Sequence, residues 1–128
     1  MIIDSSAVLA IFLRETDAET LLSTILDADF AGIGAPTATE TGLVLTSRMQ
    51  RNATGSLLRF FEETGIEIVP FTERHWQRAI DAFARFGKGR HPAGLNFGDC
   101  MTYATASLAR QPLLCRGDDF RKTDLELA

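Results

Sequence analysis

Four acidic residues, far apart along the chain, each follow a short apolar run or open a helical segment. They are Asp4, Glu40, Asp99 and Asp118. In an open parallel α/β sheet, the carboxyl ends of the strands and the adjoining helix starts face one crevice, so we expect these carboxylates to meet. Two carboxylates about 4 Å apart repel by roughly 4 kcal/mol at an effective dielectric constant near 20. A cluster of four therefore requires a cation.

The type of ligand indicates the type of cation. The four candidates are all carboxylates, with no histidine or thiolate pair beside them. Oxygen ligands suit Mg²⁺ or Mn²⁺ better than Zn²⁺. Ions of this kind activate water and neutralise phosphate charge, so the pattern indicates metal-assisted phosphoryl chemistry. Neither the phosphate loop of the nucleotide hydrolases nor the glycine-rich dinucleotide fingerprint occurs in the chain.

Strand and helix signals alternate along the chain, and these elements must position the acids. We predict strands over 1–3, 30–35, 66–69 and 113–115, with a short edge strand over 125–127. Helices are predicted over 6–15, from 16 onward, and over 36–51, 54–64, 72–86 and 98–110. The helix over 72–86 is expected to turn Trp76, Ala79, Ile80 and Phe83 inward. The alternation predicts an α/β fold with three layers, α/β/α, around a short, mostly parallel central sheet.

Length and composition predict one globular domain spanning residues 1–128. A chain of 128 residues has room for a single core and not for a second. The longest apolar run, 7–13, is too short to span a bilayer and no basic leader precedes it, so we expect a cytoplasmic protein. Cys100 and Cys115 lie in apolar contexts and are expected to be free thiols.

The net charge of −4 argues at first against a nucleic-acid partner, because such proteins usually carry a basic excess. Setting the four candidate acids aside leaves thirteen acidic residues against thirteen basic ones. A bound divalent cation would reverse the local sign. The overall charge therefore does not decide the question.

Each acid also has a purely structural interpretation. Asp4 could cap the first helix, Asp99 could stabilise the first turn of its helix, and Glu40 could complete a capping box that starts at Thr37. Asp118 could form an Asx-turn, as could Asp119. Caps alone would be expected at both edges of the sheet, so the coincidence of the acids on one edge favours a site.

Several sequence motifs together resemble those of a known family. They are Met1–Ala7, Thr39-Glu40, Asn96–Cys100 with Tyr103-Ala104, and Leu113–Phe120 followed by Thr123-Asp124. In this order and spacing, over nearly the whole chain, they resemble the motifs of PIN-domain ribonucleases, specifically VapC-type toxins. The resemblance implies a PIN-like fold and a Mg²⁺-dependent endoribonuclease, with Mn²⁺ as a substitute. It also implies a homodimer that a VapB-type antitoxin inhibits.

The resemblance also implies roles for individual residues. Asp4 and Asp99 would be the principal metal ligands, and Glu40 would complete the site directly or through water. Asp118 takes the fourth acidic position, with Asp119 as its competitor. Ser6 would form hydrogen bonds within the acidic pocket.

Three basic residues are candidates for contacting RNA phosphates, because their loops are predicted near the site. They are Lys88, Arg90 and Arg116. Two alternatives to a ribonuclease remain at this point. One is a small Mg²⁺-dependent phosphatase, and the other is a non-catalytic module whose acidic pocket receives a basic segment of a partner.

Overall fold

A four-stranded parallel sheet forms the centre of the molecule in the computed structural model, which describes residues 1–128. The strands are β1 (Ile2–Ile3), β2 (Gly32–Gly34), β3 (Glu67–Val69) and β4 (Leu113–Leu114), in the spatial order β3-β2-β1-β4. Every pairing is parallel, which confirms the expected sheet. The predicted edge strand over 125–127 is reduced to one isolated bridge between Leu127 and Leu113.

Six α-helices surround this sheet: α1 (Ser5–Phe12), α2 (Ala18–Leu26), α3 (Ala35–Met49), α4 (Thr54–Thr64), α5 (Glu73–Phe86) and α6 (Phe97–Ala109). A short 3-10 helix, Asp119–Lys122, follows β4. None of the helices combines the length and the apolar character needed to cross a membrane.

The side-chain alternation of the strands divides the core into two clusters. Ile3, Ile33 and Leu114 pack with residues of α1 to α4 on one side. Ile2 and Leu113 pack with α5, α6 and the C-terminal segment on the other. Successive strand residues point to opposite faces, so strands of two or three residues serve both layers. The arrangement confirms the three-layer α/β/α fold.

Local sequence signals explain most of the helix ends. Pro36 occupies the first turn of α3, where a missing N–H costs nothing. Gly65 ends α4 in the left-handed conformation, with φ of 71°. The capping box predicted from Thr16 is wrong, because α2 begins only at Ala18. The intervening Asp17 makes no capping bond, and its carboxylate binds Arg116 instead.

The prediction for the inward face of α5 is largely wrong. Ala79 is buried, but Trp76, Ile80 and Phe83 are exposed, Ile80 to 63%. The buried row of α5 is Ala79, Ala82 and Phe86, which packs in the same core cluster as residues of α6, and the apolar residues beside that row stay exposed. An apolar surface therefore remains open along α5.

Candidate active site

The predicted acids gather at the carboxyl edge of the sheet. Asp4 directly follows β1, Glu40 lies in the second turn of α3 after β2, and Asp99 is the third residue of α6. From β1 the chain builds β2 and β3 on one side and then returns to place β4 on the other. Ligand sites of open α/β sheets lie in the crevice at such a reversal of strand order.

Asp4 is buried and held by three hydrogen bonds. Its Oδ2 accepts from the Ser6 backbone N–H at 3.0 Å and from Ser6 Oγ at 2.6 Å. Its Oδ1 accepts from Thr102 Oγ1 at 2.9 Å. Asp4 is therefore the N-cap of α1, as the structural interpretation held, and at the same time part of the acidic crevice.

Glu40 faces the start of α6. Its Oε1 accepts from Ser5 Oγ at 2.9 Å. Its Oε2 lies in the space that a Cβ on Gly98 would need, so a larger residue at position 98 would displace this carboxylate. The capping-box interpretation of Glu40 is wrong, because α3 already begins at Ala35 and residue 40 lies inside the helix.

The pKa of Asp99 indicates that other acids lie nearby. Burial raises the pKa of Asp99 to about 6, and the negative charges of Asp4, Asp119 and Glu40 add to this effect. The backbone N–H of Asn96 donates to Asp99 Oδ2 at 3.1 Å and opposes the rise in the pKa. Asp99 thus also belongs to a capping box with Asn96. The carboxylates lie within electrostatic reach of one another.

Cys115 borders the same acidic region. Burial raises the pKa of its thiol to about 11, and the charges of Asp4, Asp119 and Asp99 contribute, while Arg121 lowers it. The thiol is therefore protonated and inert at neutral pH. Both cysteines are free, as predicted.

The two candidates for the fourth acid differ in their surroundings. Asp118 is 79% exposed and pairs with Arg121 at 3.3 Å. Asp119 acts electrostatically on both Asp99 and Cys115. The assignment of Asp118 stays a prediction, and the geometry gives more support to Asp119.

The donor chemistry of the crevice fits a hard divalent cation, since every acidic group there offers carboxylate oxygens. Asp4, Glu40 and Asp99 each accept hydrogen bonds from protein donors, which orient the carboxylates and leave further lone pairs free for a metal ion. As placed, no three such side chains converge closely enough to hold one ion. Coordination by three of them therefore requires side-chain movement.

The basic residues predicted near RNA lie in two different places. Arg116 donates from Nε to Asp17 Oδ2 at 2.9 Å, and its backbone N–H donates to Ser6 Oγ at 2.9 Å. The Arg116 guanidinium thus sits at the rim of the crevice, in an ion pair. Lys88 and Arg90 are exposed in the loop before α6, with Arg90 over the ring of Phe83.

Three residues of the site were not predicted as site residues: Thr102 was not named, and Ser5 and Gly98 occurred only within the quoted motifs. Thr102 lies three residues after Asp99 in α6, so helical spacing places both on one face and could have identified it. The contact between Ser5 and Glu40 depends on how α1 and α3 pack, and no local signal reveals it.

Comparison with known proteins identifies the family. The family model described as PIN domain matches residues 1–126. This chain belongs to the PIN domain family. The match confirms the resemblance drawn from the sequence motifs, and it covers both ends of the acidic crevice, from Asp4 to Asp119.

Curated PIN-domain relatives match over nearly their whole length. Ribonuclease VapC36 of Mycobacterium tuberculosis is 46% identical over 127 residues, covering 98% of this chain and 91% of the relative. Ribonuclease VapC28 of the same species is 41% identical over 129 residues, covering 100% and 97%.

Solved structures show the same PIN fold at low sequence identity. The sarcin-ricin loop cleaving toxin VapC20 of Mycobacterium tuberculosis superposes with a TM-score of 0.79 at 14% identity, covering 99% of this chain and 97% of that one. A toxin–antitoxin complex from Klebsiella pneumoniae gives a TM-score of 0.74 at 18% identity, covering 99% and 95%. VapBC2 of Rickettsia felis, bound to a DNA fragment from its promoter, gives 0.75 at 15% identity, covering 99% and 96%.

Proposed function

We propose that this PIN domain is a Mg²⁺-dependent endoribonuclease and the toxin of a toxin–antitoxin pair. The observation that carries the proposal is the acidic crevice around Asp99, whose pKa is raised to about 6, first by burial and then by the charges of Asp4, Asp119 and Glu40. Relatives more than 40% identical over the whole chain carry the name ribonuclease, which supports the reaction class.

In this proposal, Asp4 and Asp99 hold the metal, Glu40 joins them directly or through water, and Asp119 or Asp118 completes the set. Bound Mg²⁺ or Mn²⁺ supplies an activated water and neutralises charge on the phosphodiester. In the proposed step a water oxygen bonds to phosphorus and the bond from phosphorus to the 3′ oxygen breaks, so the products carry a 5′-phosphate and a 3′-hydroxyl, with no 2′,3′-cyclic phosphate.

Other side chains orient the acids and the substrate. Ser6 and Thr102 fix the Asp4 carboxylate through hydrogen bonds to its two oxygens. We assign RNA phosphate contacts to Lys88, Arg90 and Arg116, whose positive charges would attract the backbone. Arg116 would exchange its carboxylate partner Asp17 for a phosphate, which has the same geometric fit to a guanidinium.

A metal-dependent cleavage assay tests the nuclease. The purified chain should cut RNA with Mg²⁺ or Mn²⁺ and not with EDTA, and Asp4→Asn and Asp99→Asn should lose activity while remaining folded. Asn is itself a good N-cap at position 4, and at position 99 its side-chain oxygen can still accept from the Asn96 N–H, so both changes remove the charge and leave the helix starts in place. Glu62→Gln, on the exposed face of α4, is the control and should cut normally.

The same assay separates the alternatives. A phosphatase would hydrolyse a chromogenic phosphate monoester and leave RNA intact. A non-catalytic module would hydrolyse neither. Either result would refute the nuclease proposal.

We further propose a homodimer and a VapB-type antitoxin as partners. The antitoxin is supported by the VapBC2 assembly of Rickettsia felis and by the toxin–antitoxin complex of Klebsiella pneumoniae, which share the fold, and the homodimer is what the resemblance of the sequence motifs implies. A guanidinium or ammonium group of the antitoxin, placed among the carboxylates, would pair with them in place of the cation. Light scattering of the purified chain measures the oligomeric state.

Growth of a bacterial host tests the toxin. Production of the chain alone should arrest growth, and production of Asp99→Asn at an equal protein level should be tolerated. A small protein encoded beside the toxin should relieve the arrest. Equal arrest by Asp99→Asn would show that harm comes from binding or aggregation, and it would refute RNA cleavage as the cause.

A further inference from the structure

Two buried threonine hydroxyls form a chain that leads from α3 to Asp4. Thr102 Oγ1, in α6, donates to Asp4 Oδ1 at 2.9 Å. Thr37 Oγ1, in the first turn of α3, lies 3.1 Å from Thr102 Oγ1. All three residues are buried, so water does not compete for these bonds. The chain connects two helices to the residue that follows β1.

The direction of this chain follows from counting hydrogens. An ionised carboxylate only accepts hydrogen bonds, and a hydroxyl has one hydrogen to donate. The hydrogen of Thr102 is committed to Asp4, so in the bond between the threonines Thr37 must be the donor. The order is Thr37 to Thr102 to Asp4. Hydroxyls aligned in one direction polarise each other and strengthen the terminal bond to the carboxylate.

Two other buried threonines in the same helices behave differently. Thr41 Oγ1 donates to the Thr37 carbonyl at 2.8 Å, and Thr105 Oγ1 donates to the Met101 carbonyl at 3.0 Å. A bond to the carbonyl four residues earlier is a common way to satisfy a threonine inside a helix. Thr102 directs its hydrogen to Asp4 instead. Burial in these helices therefore does not by itself explain the Thr102 bond.

We propose that Thr102, supported by Thr37, is a positioning residue for the Asp4 carboxylate. Ser6 fixes one carboxylate oxygen and Thr102 fixes the other, so the carboxylate cannot rotate without losing a buried hydrogen bond. A fixed carboxylate binds a divalent cation without first being ordered, and so binds it more tightly. The inference rests on the proposed metal-dependent function and extends it to two residues outside the acidic set.

Isosteric substitutions in the full chain test the proposal. Thr102→Val removes the hydroxyl and keeps the volume, and Thr102→Ser restores the hydroxyl. Thr105→Val and Thr41→Val are matched controls, because they remove buried hydroxyls of the same helices that bond only locally. Mn²⁺ affinity is measured without RNA, by electron paramagnetic resonance of the free ion. The kcat and KM for RNA cleavage are measured separately.

Loss of a hydrogen-bond partner behind a metal ligand typically costs about 10- to 100-fold in affinity or activity. Thr102→Val should weaken Mn²⁺ binding by about tenfold and lower kcat with little change in KM. Thr37→Val should have a smaller effect in the same direction, since it leaves the bond from Thr102 to Asp4 in place. Thr102→Ser and the two controls should bind Mn²⁺ like the wild type.

Unchanged Mn²⁺ affinity in Thr102→Val, or equal losses in the controls, would overturn the proposal. If Thr102→Val does not fold, the other two variants test the proposal. It then requires that Thr37→Val bind Mn²⁺ more weakly than the wild type and that Thr102→Ser bind it normally. A wild type that binds Mn²⁺ without cutting RNA would refute the nuclease and leave the positioning role to be judged on affinity alone. A wild type that binds no Mn²⁺ would overturn the positioning role.

Discussion

Asp99→Asn is expected to stabilise the metal-free protein while it abolishes cleavage. Burial raises the pKa of Asp99 from its ordinary value of 3.8 to about 6, and the charges of Asp4, Asp119 and Glu40 add to this effect. The folded state thus holds the proton more tightly than the unfolded state. Consequently, the Asp99 charge costs stability as pH rises from about 4, and the cost is complete only above pH 6. Asn carries no charge and avoids this cost.

The size of the effect follows from the two pKa values. From 3.8 to about 6 is about two pH units, which corresponds to roughly 3 kcal/mol. Water reaches part of the Asp99 side chain and screens its charge, so we reduce this figure to about 1–2 kcal/mol. Asn keeps an oxygen that can accept from the Asn96 N–H. For a chain of 128 residues, the change in melting temperature should be about 3–8 °C.

Thermal melts in EDTA measure this difference at pH 7.5 and at pH 4.5. The advantage of Asp99→Asn over wild type should be full at pH 7.5 and shrink to about a third at pH 4.5, where most of the wild-type carboxyl is protonated in the folded state. Taking the difference between the two proteins cancels the titration of the groups that do not interact with Asp99. Glu62→Gln is the control and should match wild type at both values.

Metal should reverse the order of stability. Mn²⁺ at a hundred times its dissociation constant stabilises a protein by about 2.7 kcal/mol, and Asp99→Asn should lose most of this gain. Two results would refute the argument that burial and neighbouring charges oppose the Asp99 carboxylate. One is an Asp99→Asn variant that is less stable than wild type in EDTA at pH 7.5. The other is a stability difference that does not change with pH.

Two further substitutions test the site. Gly98→Ala should leave the fold intact and reduce cleavage at least tenfold, because the new Cβ displaces the flexible end of Glu40. Circular dichroism checks the fold and an RNA assay checks cleavage, and normal cleavage would contradict the role of Glu40. Asp119→Ala should reduce cleavage more than Asp118→Ala, since Asp118 pairs with Arg121 while the charge of Asp119 acts on Asp99. Initial rates of RNA cleavage at saturating Mg²⁺ measure the difference, and the reverse order would assign the fourth acidic position to Asp118.

Local sequence signals were sufficient to predict the placement of the principal acids. Asp4 follows an apolar run and Asp99 opens a helix, and in a parallel sheet both positions map to one edge. The prediction for α4 was right at both ends, since Gly65 supplies the left-handed residue that ends it. These features depend on residues that are neighbours in the sequence, so a local sequence pattern can predict them.

Features that depend on packing between elements were not predictable in this way. The bond from Thr102 to Asp4 joins residues 98 positions apart, and it exists because α6 lies beside β1. Periodicity indicated an apolar face on α5 but could not show which part of that face another element covers, so Ile80 was predicted to be inside and is exposed. The capping box assigned to Glu40 was wrong for a local reason instead: it conflicted with the helix predicted from residue 36, and α3 begins at Ala35, so residue 40 lies inside the helix.

The central position of β1 has a consequence for the synthesis of this protein. The Asp4 backbone N–H donates to the Leu114 carbonyl, and the Asp4 side chain accepts from Thr102. Asp4 is therefore synthesised long before these hydrogen-bond partners, which lie in the last quarter of the chain. At 5–20 residues per second, the stretch from Glu40 to Asp99 takes about 3–12 s to translate. A nascent chain halted before α6 carries Asp4 and Glu40 but no Asp99. The acidic crevice is therefore completed only after most of the chain has been made.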